Sequence, residues 1–102
     1  MYYIYILFSL KDKNFYVGYT ADLKRRFYEH SNGKVVSTKH RRPLKLICYE
    51  AYVEKNDAEK RELFLKSSDG RKDLKKRLNI TKISFIHWRG AGVVERGTLL
   101  RC

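Results

Sequence analysis

The side chains best suited to chemistry gather in one stretch, NFYVGYTADLKRRFYEH, residues 14–30, which holds Tyr16, Arg25, Arg26 and His30. Arg26 keeps its charge at any physiological pH, and its planar fork can grip two phosphate oxygens at once. Arg25 lies about 100° round a helix from Arg26, so the two do not share one role, and Arg25 with Lys24 suits plain contacts to backbone phosphates. His30 follows Arg26 by one helical turn on the same side, where a neutral imidazole can orient water or take a proton. The alternative for His30 is a helix-end histidine favoured by the dipole. A second pattern, ELFLK, sets Glu62 and Lys66 four residues apart beside Leu63, Phe64 and Leu65. That pair is either an ordinary helix ion pair or a carboxylate for a hard cation such as Mg²⁺, and Glu59 competes with Glu62 on nearly the same face.

These groups need elements to position them. Residues 2–10 are rich in Tyr, Ile and Phe and read as a strand, the polar KDKN as a turn, and residues 15–19 as a second strand, together an antiparallel hairpin. Alternation puts Tyr3 and Tyr5 on one face and Ile4 and Ile6 on the other, without saying which face meets the helices. Thr20 is a candidate cap for a helix with Asp22 in its first turn and Leu23, Phe27 and His30 on one face, ended by Asn32-Gly33. A basic loop, residues 34–43, leads to a third strand, residues 44–53, apolar enough to expect it in the centre of the sheet. Asn56 or Asp57 is expected to cap a helix from 58 to about 67, Gly70 to break it, and residues 71–78 to form a short basic helix. Residues 82–88 suggest a further strand. The expected fold is α+β, a small three-stranded, mainly antiparallel sheet flanked by helices in the order ββαβα plus a trailing helix. Residues 1–80 make one domain and 81–102 a C-terminal extension.

Charge narrows the partner. Twenty-three Lys and Arg against eleven Asp and Glu leave +12, a field that draws in polyanions. The cations cluster at Lys24–Arg26, at Lys39, His40, Arg41 and Arg42, and at Arg71, Lys72, Lys75, Lys76 and Arg77, which points to nucleic acid ahead of an anionic membrane or a ribosome. His40 belongs with the basic loop and His87 with packing. The two cysteines, Cys48 and Cys102, form no disulfide framework and no zinc spacing, so a reducing cytoplasm is the expected compartment. The apolar opening MYYIYILF reads as a strand, and no stretch reaches the length of a membrane span.

Five motifs in order resemble the GIY-YIG nuclease superfamily, and especially its small single-domain members similar to the N-terminal nuclease domain of the DNA-repair excinuclease. They are Tyr3-Ile4-Tyr5 (with Tyr where the family usually has Gly), Tyr16-Val17-Gly18, Arg26 eight residues later, His30 four further on, and Glu62 with Lys66, followed by Gly70-Arg71. The resemblance implies a DNA endonuclease using one divalent metal, Mg²⁺ or Mn²⁺, with Tyr5, Tyr16, Arg26, His30 and Glu62 at the site and Glu62 holding the metal. It implies that Tyr5 or, by preference, Tyr16 helps deprotonate the attacking water. A phenol with a reference pKa of about 10 is a poor base unless a cation such as Arg26 or the metal lowers it. Lys24, Arg25, Lys39, His40, Arg41, Arg42, Lys66, Arg71 and Lys72 are the expected DNA contacts, salt-sensitive and indifferent to sequence. Branched, nicked or damaged DNA and a repair-protein partner follow from the relatives. Two rival readings are a non-catalytic nucleic-acid-binding module and an adaptor that docks an acidic protein.

Overall fold

A computed structural model of the chain describes residues 1–78 together with the backbone of Leu100 and Arg101. β1 (Tyr2–Ser9) and β2 (Phe15–Thr20) form the hairpin. Its turn closes on Ser9, whose buried hydroxyl accepts from the backbone N–H groups of Lys11 and Asp12 and donates to the carbonyl of Arg41 at 2.6 Å. Lys13 takes the left-handed conformation the turn needs, at φ 59°. α1 (Leu23–Ser31) follows, then a short 3₁₀ turn (Lys39–Arg41), β3 (Leu44–Tyr52), α2 (Lys55–Lys66), α3 (Ser68–Arg77) and β4 (Leu100–Arg101).

The strands lie in the order β2-β1-β3-β4. β1 is antiparallel to both β2 and β3, and so it, rather than β3, is the middle of the three long strands. β4 adds a two-residue parallel pairing beside Cys48 and Tyr49, a refinement of the expected three-stranded sheet. The expected strand at residues 82–88 and His87 lie outside the described residues.

Helices cover both faces of the sheet, which resolves the question that alternation left open. Ile4, Ile6 and Phe8 pack with Val17 and Ile47 against Ala58, Leu65 and Leu74 of α2 and α3. Tyr5 and Leu7 point the other way, packing with Leu44 and Leu46 against Leu23 and Phe27 of α1. Each such buried aliphatic side chain contributes roughly 1.5–3 kcal/mol, so the strand core anchors both layers.

Several local expectations need correction. Asp22, not Thr20, caps α1, its side chain accepting from the Arg25 backbone N–H at 3.1 Å, while Thr20 Oγ1 accepts from the Asp22 N–H and makes the turn before it. α2 starts at Lys55 behind Glu54, which makes no side-chain cap bond, rather than behind Asn56 or Asp57. The break between α2 and α3 falls at Ser67, whose hydroxyl accepts from the Gly70 N–H at 3.2 Å. Gly70 therefore lies inside α3. Cys48 is fully buried in β3, and Cys102 lies outside the described residues.

Gly70 is there for space. A Cβ on it would sit 2.0 Å from the carbonyl oxygen of Phe64, and backbone cannot yield as a side chain does. Gly70→Ala is expected to destabilise the fold by about 3 kcal/mol, lowering the melting temperature by more than about 10 °C. A thermal melt within about 4 °C of wild type would contradict this packing.

Candidate active site

The site is built around the pairing of Tyr5 with Gly18 across β1 and β2. A Cβ at Gly18 would lie 2.1 Å from Cζ of Tyr5, so the Tyr5 ring crosses β2 where only glycine leaves room. Tyr5 is 1% exposed. Its hydroxyl lies 2.8 Å from His30 Nε2 and accepts from Arg26 Nε at 3.4 Å. His30 Nδ1 in turn lies 2.7 Å from Thr38 Oγ1. His30 and Thr38 are fully buried. Arg26 can only donate. The tautomer that gives the Tyr5 O–H an acceptor has it donating to Nε2, with the imidazole carrying its proton on Nδ1 and donating to Thr38.

The electrostatics match that assignment. Burial, with Arg26 adding to it, pushes the His30 pKa down to about 4, so the ring is neutral at pH 7. Burial pushes the Tyr5 phenol up to about 12, against the opposing hydrogen bond from Arg26. Tyr5 thus stays protonated at neutral pH, because the hydrogen bond from Arg26 does not offset its burial. His30 stands in the last turn of α1 with its ring fully buried. Both its nitrogens are occupied inside the core, and it holds Tyr5 in place.

α1 delivers the cation. Its Arg26 N–H bonds to the Asp22 carbonyl at 3.0 Å, so the guanidinium starts from a capped first turn. Glu29 accepts from Nη1 of Arg26 at 3.2 Å, and Arg25 leans on the same carboxylate at 3.9 Å. The Arg26 side chain remains 37% exposed, and among the described residues its Nη2 makes no hydrogen bond. The hydrogen bond to Tyr5 comes first among the contacts that hold its proton more tightly.

Tyr16 sits at the open side of this buried chain. Its ring is 5.2 Å from that of His30 and 6.4 Å from that of Tyr5, and its hydroxyl accepts from Ser37 Oγ at 3.4 Å. Glu62 comes from α2, partly exposed and 2.9 Å from Lys66 Nζ, the ion pair its spacing allows. Its charge is felt at the Tyr5 phenol, which it pushes further up. Among the described residues no group of three or more His, Cys, Asp or Glu side chains converges. The donor set present is one carboxylate beside a cationic, phosphate-ready surface. That fits Mg²⁺, which keeps much of its water and takes oxygens from a substrate phosphate, and does not fit a multi-carboxylate cage.

The other expected contact residues divide. Lys24, Arg25, Lys39, His40, Arg42, Lys66, Arg71 and Lys72 are exposed. Arg41 is committed: its guanidinium holds Asp12 at 2.5 Å and reaches the carbonyls of Asn14 and Phe15, tying the basic loop to the hairpin turn. Sequence reasoning missed Thr38, Ser37 and Glu29. Thr38 and Ser37 lie in a loop that reads only as basic, and their hydroxyls carry no periodic signal. Glu29 was recoverable, standing three residues after Arg26.

The buried histidine predicts a pH dependence. An unfolded imidazole titrates near 6.5, whereas folded His30 titrates at about 4, so the unfolded chain binds the extra proton between those values. The stabilisation is complete above about pH 6.5 and is lost as pH falls towards 4, amounting to about 3 kcal/mol. Thermal melts across that range should show the loss, and nitrogen NMR should show a neutral His30 protonated on Nδ1 at pH 7. A His30 that titrates near 6.5 would contradict the buried chain.

The GIY-YIG catalytic domain family matches residues 1–79. A UPF0213 protein of Staphylococcus saprophyticus is 40% identical over 74 residues, covering 72% of this chain and 89% of its own length. A UPF0213 protein of Limosilactobacillus reuteri is 43% identical over 68 residues, covering 64% and 70%. The solution NMR structure of a UPF0213 protein from Bacillus halodurans is 29% identical with a TM-score of 0.43, covering 98% of this chain and 99% of that one. With the GIY-YIG catalytic domain family matched across its first 79 residues, this chain belongs to the GIY-YIG catalytic domain family.

Proposed function

We propose that this chain is a metal-dependent endonuclease that hydrolyses DNA phosphodiester bonds, acting on structured or damaged DNA in repair or recombination. The observation that carries the reading is the arrangement of Arg26. Its Nε is anchored on a buried phenol and its Nη1 on Glu29, while the rest of the fork stays open. A guanidinium fixed on one side and free on the other is preorganised for the charge that gathers on phosphate during attack, without reorganising when it arrives.

Roles follow from burial. Tyr16, at the open side, helps take the proton from the attacking water. Tyr5 and His30 orient Arg26 from beneath. Glu62 is the residue that would hold Mg²⁺ or Mn²⁺. When bound, that ion polarises the phosphate and eases departure of the leaving oxygen. Lys24, Arg25, Lys39, His40, Arg42, Lys66, Arg71 and Lys72 supply backbone contacts, which carry affinity and no sequence preference. A cytoplasmic setting and a repair-protein partner belong to the same proposal. Among the described residues, no helix is long and apolar enough to cross a membrane.

The test is nicking of supercoiled plasmid and of a labelled branched duplex with Mg²⁺, Mn²⁺ or EDTA, using wild type, Arg26→Ala and Glu62→Gln. Cleavage by wild type with metal alone, and loss of at least a hundredfold in both variants while they still bind DNA, is the expected result. Equal binding by all three with no cut on any substrate would sink the enzyme reading in favour of a binding module.

A further inference from the structure

A cavity of about 420 Å³ opens beside the site, between the hairpin and α3. Phe15 and Val17 of β2 and Leu74 of α3 form its apolar walls, and Lys66, Arg71 and Lys75 supply its cations. Its one carboxylate, Asp12, is held at 2.5 Å by Arg41, which also lines the cavity. Among the described residues, no acidic side chain pairs with Arg71 or Lys75; the nearby Asp73 goes to Arg77.

The cavity is continuous with the site at two points. Tyr16 lines it and also packs against the His30 ring. Lys66 lines it and is bonded to Glu62. It also runs along β2, the edge strand of the sheet. A concave, positively charged groove leading away from a phosphate site focuses its field on a chain of phosphates.

We infer that this groove is a second phosphate-binding stretch, taking the DNA backbone that flanks the cut, with Arg71 and Lys75 each on a phosphate. Naming DNA as its occupant rests on the nuclease reading, but binding tests the groove without requiring cleavage. Arg71 and Lys75 are four residues apart and so share a face of α3, the face that lines the groove. Lys72 and Lys76 have the same spacing and exposure on the same helix, yet do not line it. Sequence alone does not separate the two pairs, and Lys72 is among the expected contacts.

The experiment compares R71E/K75E with K72E/K76E, which change the net charge equally at exposed positions. Binding of each to one labelled DNA duplex is measured in EDTA over a range of salt, with melts to confirm folding. R71Q/K75Q removes the charge without reversing it. Each lost phosphate contact should lower the salt slope by about 0.9, so both groove pairs should lose about 2 from the slope, and R71E/K75E should bind at least tenfold more weakly than K72E/K76E. Equal losses in the two reversed pairs would mean that only net charge acts, and would overturn the groove. If wild type never cuts but the groove pairs still weaken binding selectively, the nuclease reading fails and the groove stands.

Discussion

The structure depends on one phenol having no choice of partners. Tyr5 points from the middle strand into the layer between sheet and α1, where its hydroxyl is cut off from water. A buried hydroxyl left without a partner costs about 1–3 kcal/mol, so the fold must bring groups to it. It brings His30 and Arg26 from α1 and, behind His30, Thr38 from the following loop. Gly18 is the complementary condition, because any side chain there would occupy the space of the ring. Strand register, helix placement and loop path are thereby tied to a single polar atom.

That arrangement divides the work of the site. The inner groups are Tyr5, His30 and Thr38, bonded in a row with His30 in the middle. The outer groups, Tyr16, Arg26 and Glu62, keep contact with solvent and carry the proposed chemistry. Burial keeps the Tyr5 phenol and the His30 imidazole neutral at neutral pH. Arg26 joins the two sets, since its Nε reaches inward and its exposed side faces a ligand. The same logic explains why Arg41, another arginine of the basic loop, is not equivalent to it. Its fork is already filled by Asp12 and two hairpin carbonyls.

Much of the architecture was legible because it rests on local rules. The KDKN turn, the Asn32-Gly33 stop, with Gly33 at φ 73°, and the apolar third strand are short-range signals that tertiary packing did not overrule. The site motifs were legible through resemblance, and the geometry brings the Tyr5, Arg26 and His30 side chains into one bonded chain with Tyr16 beside it. Helix starts were harder. Thr20 and Asp22 are both good caps two residues apart, and only the final backbone selects Asp22. Gly70 reads as a breaker because flexibility and close approach look identical in sequence. Nor does a pattern reveal how deeply a tyrosine sinks, so from sequence Tyr5 looks like an accessible phenol. Thr38 left no trace at all, since a lone hydroxyl in a basic loop is ordinary until a buried imidazole needs it.

The central claim is that two tyrosines of one site do different things: Tyr16 works on the water, and Tyr5 holds the framework. It is tested most directly by single-turnover cleavage of a labelled DNA duplex across pH by Tyr16→Phe beside Tyr5→Phe, with a melt for each variant. The account predicts that Tyr16→Phe keeps the wild-type melt and loses about 10²–10⁴ in rate. Tyr5→Phe should melt earlier, and its remaining activity should keep the wild-type pH profile. Cleavage by Tyr16→Phe at the wild-type rate, or a pH profile altered only by Tyr5→Phe, would contradict it.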